Sequence, residues 1–163
     1  MNTDCYSHTE LLKDFCKRYG YDIKRLDSIM IDKKFTQRLS GYFGWKALRQ
    51  ELFERFYGLD VFRFVRDFET DDSYILHHIV PVKDNPYLMF DERNLIPLSN
   101  SVHAKVHIAY ALSDYQKEKT QKQLKSALCD FFHGQNPLYE PVIEPSRCRF
   151  DFSRTIQREG ATA

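Results

Sequence analysis

Residues 75–107, ILHHIVPVKDNPYLMFDERNLIPLSNSVHAKVH, decide how this chain is read. They hold four of the six histidines: His77, His78, His103 and His107. An apolar run carrying a His pair leads into a polar loop from Lys83 to Arg93, and a second short apolar run, Asn94 to Leu98, follows. Pro81 ends the first run as a strand, because it has no N–H for a ladder. Ser99 stands as N-cap to a segment with helical period, Asn100 to about Leu112. In it Val102, Val106 and Ala109 form one stripe, and His103, His107 and Tyr110 form its neighbour. Residues four apart share a helix face, so His103 and His107 can point at one ion. A two-strand finger leaning on that helix would bring His77 or His78 to the same point. Three imidazoles and an open position suit a divalent transition metal.

Taken singly, each histidine is weak evidence. A lone His is usually structural, and His-x-x-x-His on a helix is common. The combination is more specific. Asn94 follows His78 by sixteen residues, His103 follows Asn94 by nine, and His107 follows His103 by four. This pair–Asn–pair resembles the HNH nuclease superfamily, and most closely the His-rich form of its ββα-metal motif in the colicin-type DNases. HHIVP (77–81) is similar to the family's DHI.P strand, and Asn94-Leu95 to its NL turn. GWKALRQELFER (44–55) looks like the W..LR...L.R helix that precedes the motif in phage-encoded HNH proteins. The core of the resemblance covers 75–107, with weaker support back to about residue 40.

The resemblance implies an α+β fold, a mostly helical domain around a ββα finger. A single domain, 1–163, divides into an N-terminal helical region (1–40), an HNH core (41–113, finger 74–112) and a C-terminal helix with extended tail (114–163). It also implies a metal-dependent endonuclease acting on double-stranded DNA, leaving a 5′-phosphate and a 3′-hydroxyl. His78 would be the general base, Asn94 would fix the finger's geometry, and His77, His103 and His107 would hold one divalent ion (Mg²⁺, Mn²⁺, Ni²⁺ or Zn²⁺). Lys46, Arg49, Lys83 and Lys105 are the candidate phosphate contacts, and an inhibitor or partner protein is a further expectation. Relatives with a structural zinc carry two CxxC pairs, which would fall near Asp60 and Arg63 and at Ser99 and Val102. None of these is cysteine, so no zinc knuckle is expected and packing must replace it.

One geometric difficulty is visible in advance. Neighbours on a regular strand point to opposite faces, so His77 and His78 should not both face one metal. The family's solution sets the scissile phosphate between them near a strand end, and a bend or bulge before Pro81 is the expected sign. Two other readings stay open. One is a noncatalytic module in which the histidines hold structural zinc and the basic half docks on nucleic acid or protein. The other is a metal-dependent RNase.

Composition sets the bounds. At 163 residues, with 42% hydrophobic and 15% aromatic content, the chain can bury a real core. No apolar run approaches the roughly 20 residues of a membrane span, and MNTDCYSHTELL has no signal-peptide character, so a cytoplasmic protein is expected. Cys5, Cys16, Cys129 and Cys148 are widely spaced and read as free thiols. Net charge is only +1, yet between Lys13 and Arg66 thirteen Lys or Arg face seven acids, a surplus that suits either a phosphate-facing patch or a solvated surface.

Around the core stretch, Thr9 to Tyr19 has an amphipathic helical pattern ended by Gly20, with Ser7 or Thr9 as cap. Ile23 to Met30 carries a weaker helical signal, and Ser40 to Gly44 is turn-like. From Trp45, whose simplest role is a core anchor, Leu48, Leu52, Phe53 and Phe56 make a helix face closed by Gly58. Leu59 to Phe68 is rich in Val and Phe, which favours a strand, so 61–65 and 74–80 could form an antiparallel pair or flank the finger. Asp114 would cap a last helix reaching His133 and stopped by Gly134, before a Pro-rich tail.

Overall fold

In the first helix, α1 (His8–Tyr19), Ser7 and Glu10 cap each other reciprocally, and Gly20 closes it at φ 72°. The apolar face so formed buries Leu11, Leu12, Phe15 and Cys16. The computed structural model describes residues 7–67 and 69–133. The segment with the weak helical signal is a short 3-10 helix, Ile23–Ser28. Then comes α2 (Lys33–Gly41), which the sequence reading left out. Asp32 starts it by accepting the Phe35 N–H at 2.8 Å, and it buries only Phe35 and Leu39. The expected turn at 40–44 shrinks to Tyr42, which ends α2 and precedes α3 (Phe43–Arg55).

Phe15 is the hub of the N-terminal core. Its ring meets those of Tyr19, Tyr21, Phe35, Tyr42 and Phe90 at 5.0–5.9 Å. Gly44 is required here by space. A Cβ would lie 2.6 Å from the Tyr42 ring and 2.9 Å from Leu11, so any side chain would push α3 off α1.

The segment after Gly58 corrects the sequence reading. Val61–Asp67 is a helix, α4, and the expected strand pair between 61–65 and 74–80 is reduced to a single bridge, Leu59 to Asp72. Asp60 is the physical reason. Its Oδ1 accepts the Arg63 N–H at 3.0 Å, which is a helix cap. Val61 and Phe64, three apart, then share one buried face. A run of Val and Phe does not by itself separate a buried strand from a buried helix turn.

Two strands follow, β1 (Ile75–His78) and β2 (Leu95–Leu98), antiparallel with Ile75 opposite Leu98 and His78 opposite Leu95. Between them the loop is ordered by two 3-10 turns, Pro86–Leu88 and Glu92–Asn94, and Met89 and Phe90 are fully buried. Helix α5 (Asn100–Leu112) starts at Ser99, whose Oγ accepts the Val102 N–H, and buries Val102 and Val106. Helix α6 (Asp114–Phe132) is capped by Ser113 rather than by Asp114. It packs on α4 and α5, where Phe56, Phe64, Phe131 and Phe132 form a second aromatic core. The fold is thus α+β: mostly helical, with one small antiparallel sheet.

Asp60, Arg63, Ser99 and Val102, the positions that the resemblance sets against cysteines, are joined by hydrogen bonds. Asp60 Oδ2 accepts the Ser99 N–H at 2.7 Å, while its Oδ1 holds Arg63 and Ser99 holds Val102. One fully buried carboxylate therefore ties the start of α4 to the start of α5. The expected Gly134 stop, the Pro-rich tail, Cys5 and Cys148 lie outside the described residues. Cys16 is a buried free thiol. Among the described residues no helix is long and apolar enough to cross a membrane.

Candidate metal centre

β1 carries His77 toward α5, where His103 and His107 project one helical turn apart. The His77 ring centre lies 5.2 Å from that of His103 and 5.4 Å from that of His107, and the latter two are 4.4 Å apart. One ring nitrogen from each of the three falls within 4.8 Å of the others. Nε2 of His103 and Nε2 of His107 are 2.9 Å apart. Such a contact needs one N–H and one lone pair, so one of the two Nε2 atoms presents its lone pair to the other.

His77 is 5% exposed, and its Nε2 has no hydrogen-bond partner. A buried ring nitrogen without a partner costs of order 1–3 kcal/mol, so its retention calls for an explanation. Burial first, then the neighbouring His103, His107 and His78, push its pKa down to about 3. Burial and His107 lower that of His103 as well. Both are therefore neutral at physiological pH, the form in which imidazole binds a metal. Imidazole nitrogens on one ion at about 2.0–2.1 Å stand roughly 3 Å apart, and each of the three rings brings a nitrogen within 4.8 Å of the others. The residues fit a three-imidazole metal site, with His77 Nε2 as the group that otherwise has no use.

His78, next on the strand, faces the other way. Its ring stacks on Trp45 with centres 5.1 Å apart and planes 13° apart. Its Nε2 lies 3.0 Å from the Met89 carbonyl oxygen. A carbonyl only accepts, so Nε2 carries the hydrogen and Nδ1 keeps its lone pair. Burial lowers the His78 pKa, against the Met89 bond, which raises it.

The two faces meet at the chain bend just after β1, at Ile79 and Val80. Asn94 holds this bend. Its Oδ1 accepts the Val80 N–H at 2.7 Å, and its Nδ2 donates to the carbonyls of Val80 (3.0 Å) and Leu88 (3.3 Å). From the helices, Tyr110 donates its hydroxyl to the Ile79 carbonyl at 2.7 Å, and Gln121 donates to it at 3.1 Å.

The structure brings His77, His103 and His107 together and leaves His78 on the far face of the same strand. Lys46, Arg49, Lys83 and Lys105 are all exposed. Arg49 also supports the sheet by donating to the Tyr74 carbonyl at 2.7 Å, just before β1. Trp45, read as a plain core anchor, has the added task of backing His78. Met89, Tyr110 and Gln121 were not singled out for the site. Tyr110 could have been, since it continues the stripe of His103 and His107.

Comparison with protein-family models, with curated proteins and with solved structures finds no match to this chain.

Proposed function

We propose that the chain is a metal-dependent endonuclease of the HNH kind that hydrolyses phosphodiester bonds in DNA, with 74–112 as its ββα-metal finger. One observation carries the reading. Three imidazoles converge with an unpartnered Nε2 on His77, while the adjacent His78 is held as the tautomer that leaves Nδ1 free. The chain departs from relatives with a zinc knuckle at Asp60, Arg63, Ser99 and Val102, and there a hydrogen-bonded cluster joins the starts of α4 and α5.

His77, His103 and His107 would hold a divalent ion. Bound there, such an ion supplies charge stabilisation at the phosphoryl group and at the departing oxygen. The rest falls to the protein. A water oxygen attacks phosphorus, the P–O3′ bond breaks, and the water's proton goes to His78 Nδ1. The freed 3′ oxygen takes a proton from solvent, leaving a 3′-hydroxyl and a 5′-phosphate. Trp45 and the Met89 carbonyl keep the His78 ring in orientation and tautomer. Asn94, by fixing the bend, sets how far His78 stands from the His77 face.

A structural zinc site is the competing use of the same residues. It is not favoured, because such sites are closed and four-coordinate, and the fourth imidazole available here, His78, is turned away.

Plasmid nicking tests the proposal, run in EDTA and then with Mg²⁺, Mn²⁺, Ni²⁺ or Zn²⁺. Wild type should nick with metal only. His78→Ala should bind the metal and fail to nick. Tight metal binding with no cleavage of DNA by wild type under any metal would overturn it.

A further inference from the structure

A cavity of about 250 Å³ opens beside His78 on the face away from the three imidazoles. Phe35 and Leu39 of α2, Leu76 of β1 and the Trp45–His78 pair line it, and the exposed Thr36 and Ser40 stand among its lining residues. The volume is about that of eight liquid waters, below the roughly 300–1,000 Å³ of sites for drug-sized ligands. It suits a flat group of one or two rings. Helix α2 and the first two turns of α3 are basic, ahead of Glu51 and Glu54 later in α3. From Lys33 to Gln50 the chain has Lys33, Lys34, Arg38, Lys46 and Arg49 and no acidic residue, and all but Arg38 are exposed.

We propose that this cavity receives one unstacked nucleobase of the substrate, from the nucleotide beside the scissile phosphate, while the α2–α3 cations hold the flanking phosphates. The inference rests on the nuclease reading and extends it to substrate class: strands with an unpaired nucleotide at the cut. Three observations support this occupant. The walls are apolar and aromatic, as base stacking requires. Exposed Lys33, Lys34 and Lys46 stand on the two helices that line it, as contacts a polyphosphate strand can use. The cavity also adjoins His78, the residue proposed to act on the neighbouring phosphate. A paired base cannot enter without leaving its stack, at a cost of a few kcal/mol that an unpaired base avoids.

Trp45 is the sole tryptophan, so its fluorescence reports on the cavity directly. The test is a titration in EDTA, where no cleavage intervenes, with a short single-stranded oligodeoxynucleotide, its abasic counterpart and the matched duplex. The single strand should quench Trp45 and bind about tenfold or more tightly than the abasic strand, the loss expected for one stacked base. Ser40→Phe should close the mouth and remove both effects, while leaving metal binding intact. Equal quenching by an RNA strand supports a base pocket indifferent to the sugar. In nicking assays with metal, a duplex with one unpaired nucleotide at the cut should outpace the fully paired duplex. Equal affinity for the base-bearing and abasic strands with no quench, alongside plasmid nicking, would overturn the pocket and keep the nuclease. Quenching without cleavage under any metal would overturn the nuclease and keep the pocket.

Discussion

Asn94→Asp changes one atom group at the bend that joins the two faces of the site, and its consequences can be worked from three distances. Asn94 is 2% exposed. It accepts one backbone N–H, from Val80 at 2.7 Å, and donates to two carbonyls, of Val80 and Leu88. An aspartate keeps the first bond and loses both donors, at about 1 kcal/mol each. It also turns a carboxylate oxygen toward two carbonyl oxygens in a buried setting, which adds at least a comparable penalty. The sum is about 3–5 kcal/mol at neutral pH, a large share of the roughly 5–15 kcal/mol that a domain has.

The carboxylate has one escape, which is to take up a proton and donate again. The folded-state pKa of the introduced carboxyl must therefore lie above the unfolded value of about 3.9. Between the two values the folded state binds more protons than the unfolded one, so the variant's stability relative to wild type falls as pH rises. The deficit should be smallest below about pH 4 and grow as pH rises through the folded pKa. Urea denaturation of both proteins across that range measures it. A deficit under about 1 kcal/mol at pH 7, or one that does not change with pH, would refute the account of Asn94 as a two-donor clamp.

The histidines give a second pH dependence of opposite sign. In metal-free protein, burial holds the His77 pKa at about 3, so the unfolded state binds the extra proton below about pH 6.5, and stability should fall by up to about 1.4 kcal/mol per pH unit below that value. His77→Leu should flatten this slope in urea titrations while abolishing metal-induced stabilisation. For wild type, metal at a hundred times its Kd should add about 2.7 kcal/mol, read as a rise in Tm that EDTA reverses. His78→Ala should retain that rise and lower the nicking rate by roughly 10²–10⁴, the range for loss of a general base. Asp60→Ala leaves the buried Ser99 N–H and the part-buried Arg63 N–H without their partner and should cost about 2–4 kcal/mol in denaturant, with metal affinity changed less than stability.

Several of these features were legible in the residues alone. The helix 100–112 with its Ser99 cap and the apolar stripe of Val102 and Val106 appear where the spacing puts them. So does the order of strand, loop, strand and helix, because Pro81, the polar loop and Asn94 punctuate it locally. Helix α4 was misread because its sequence, VFRFV, satisfies a strand as well as a helix, and only the Asp60 cap decides. Helix α2 was missed because two buried residues, Phe35 and Leu39, are too few for a periodic signal, and its start depends on a single Asp32 bond. The partner of His78 was beyond reach for a different reason. It is a backbone carbonyl, and any residue at position 89 would present one.

The difficulty posed by adjacent histidines is resolved by where strand β1 stops. While the chain is extended, alternation keeps His77 and His78 on opposite faces, with His77 among the imidazoles and His78 against Trp45. A single phosphate could then be served from both sides only beyond the last ladder pair, where the chain turns. That point is Ile79–Val80, and Asn94, Tyr110 and Gln121 all spend their polar groups there. Side-chain bonds thus reach this one short segment from the end of the loop and from both α5 and α6. Such concentration is more than a two-strand sheet needs for register, since the ladder and the apolar side chains already set it. It is what the proposed nuclease site needs, since its base, His78, directly follows one of its metal ligands, His77, and their separation must not vary. Loosening the bend should therefore impair cleavage before it impairs metal binding, because the three imidazoles stay on β1 and α5 while His78 loses its fixed distance to them.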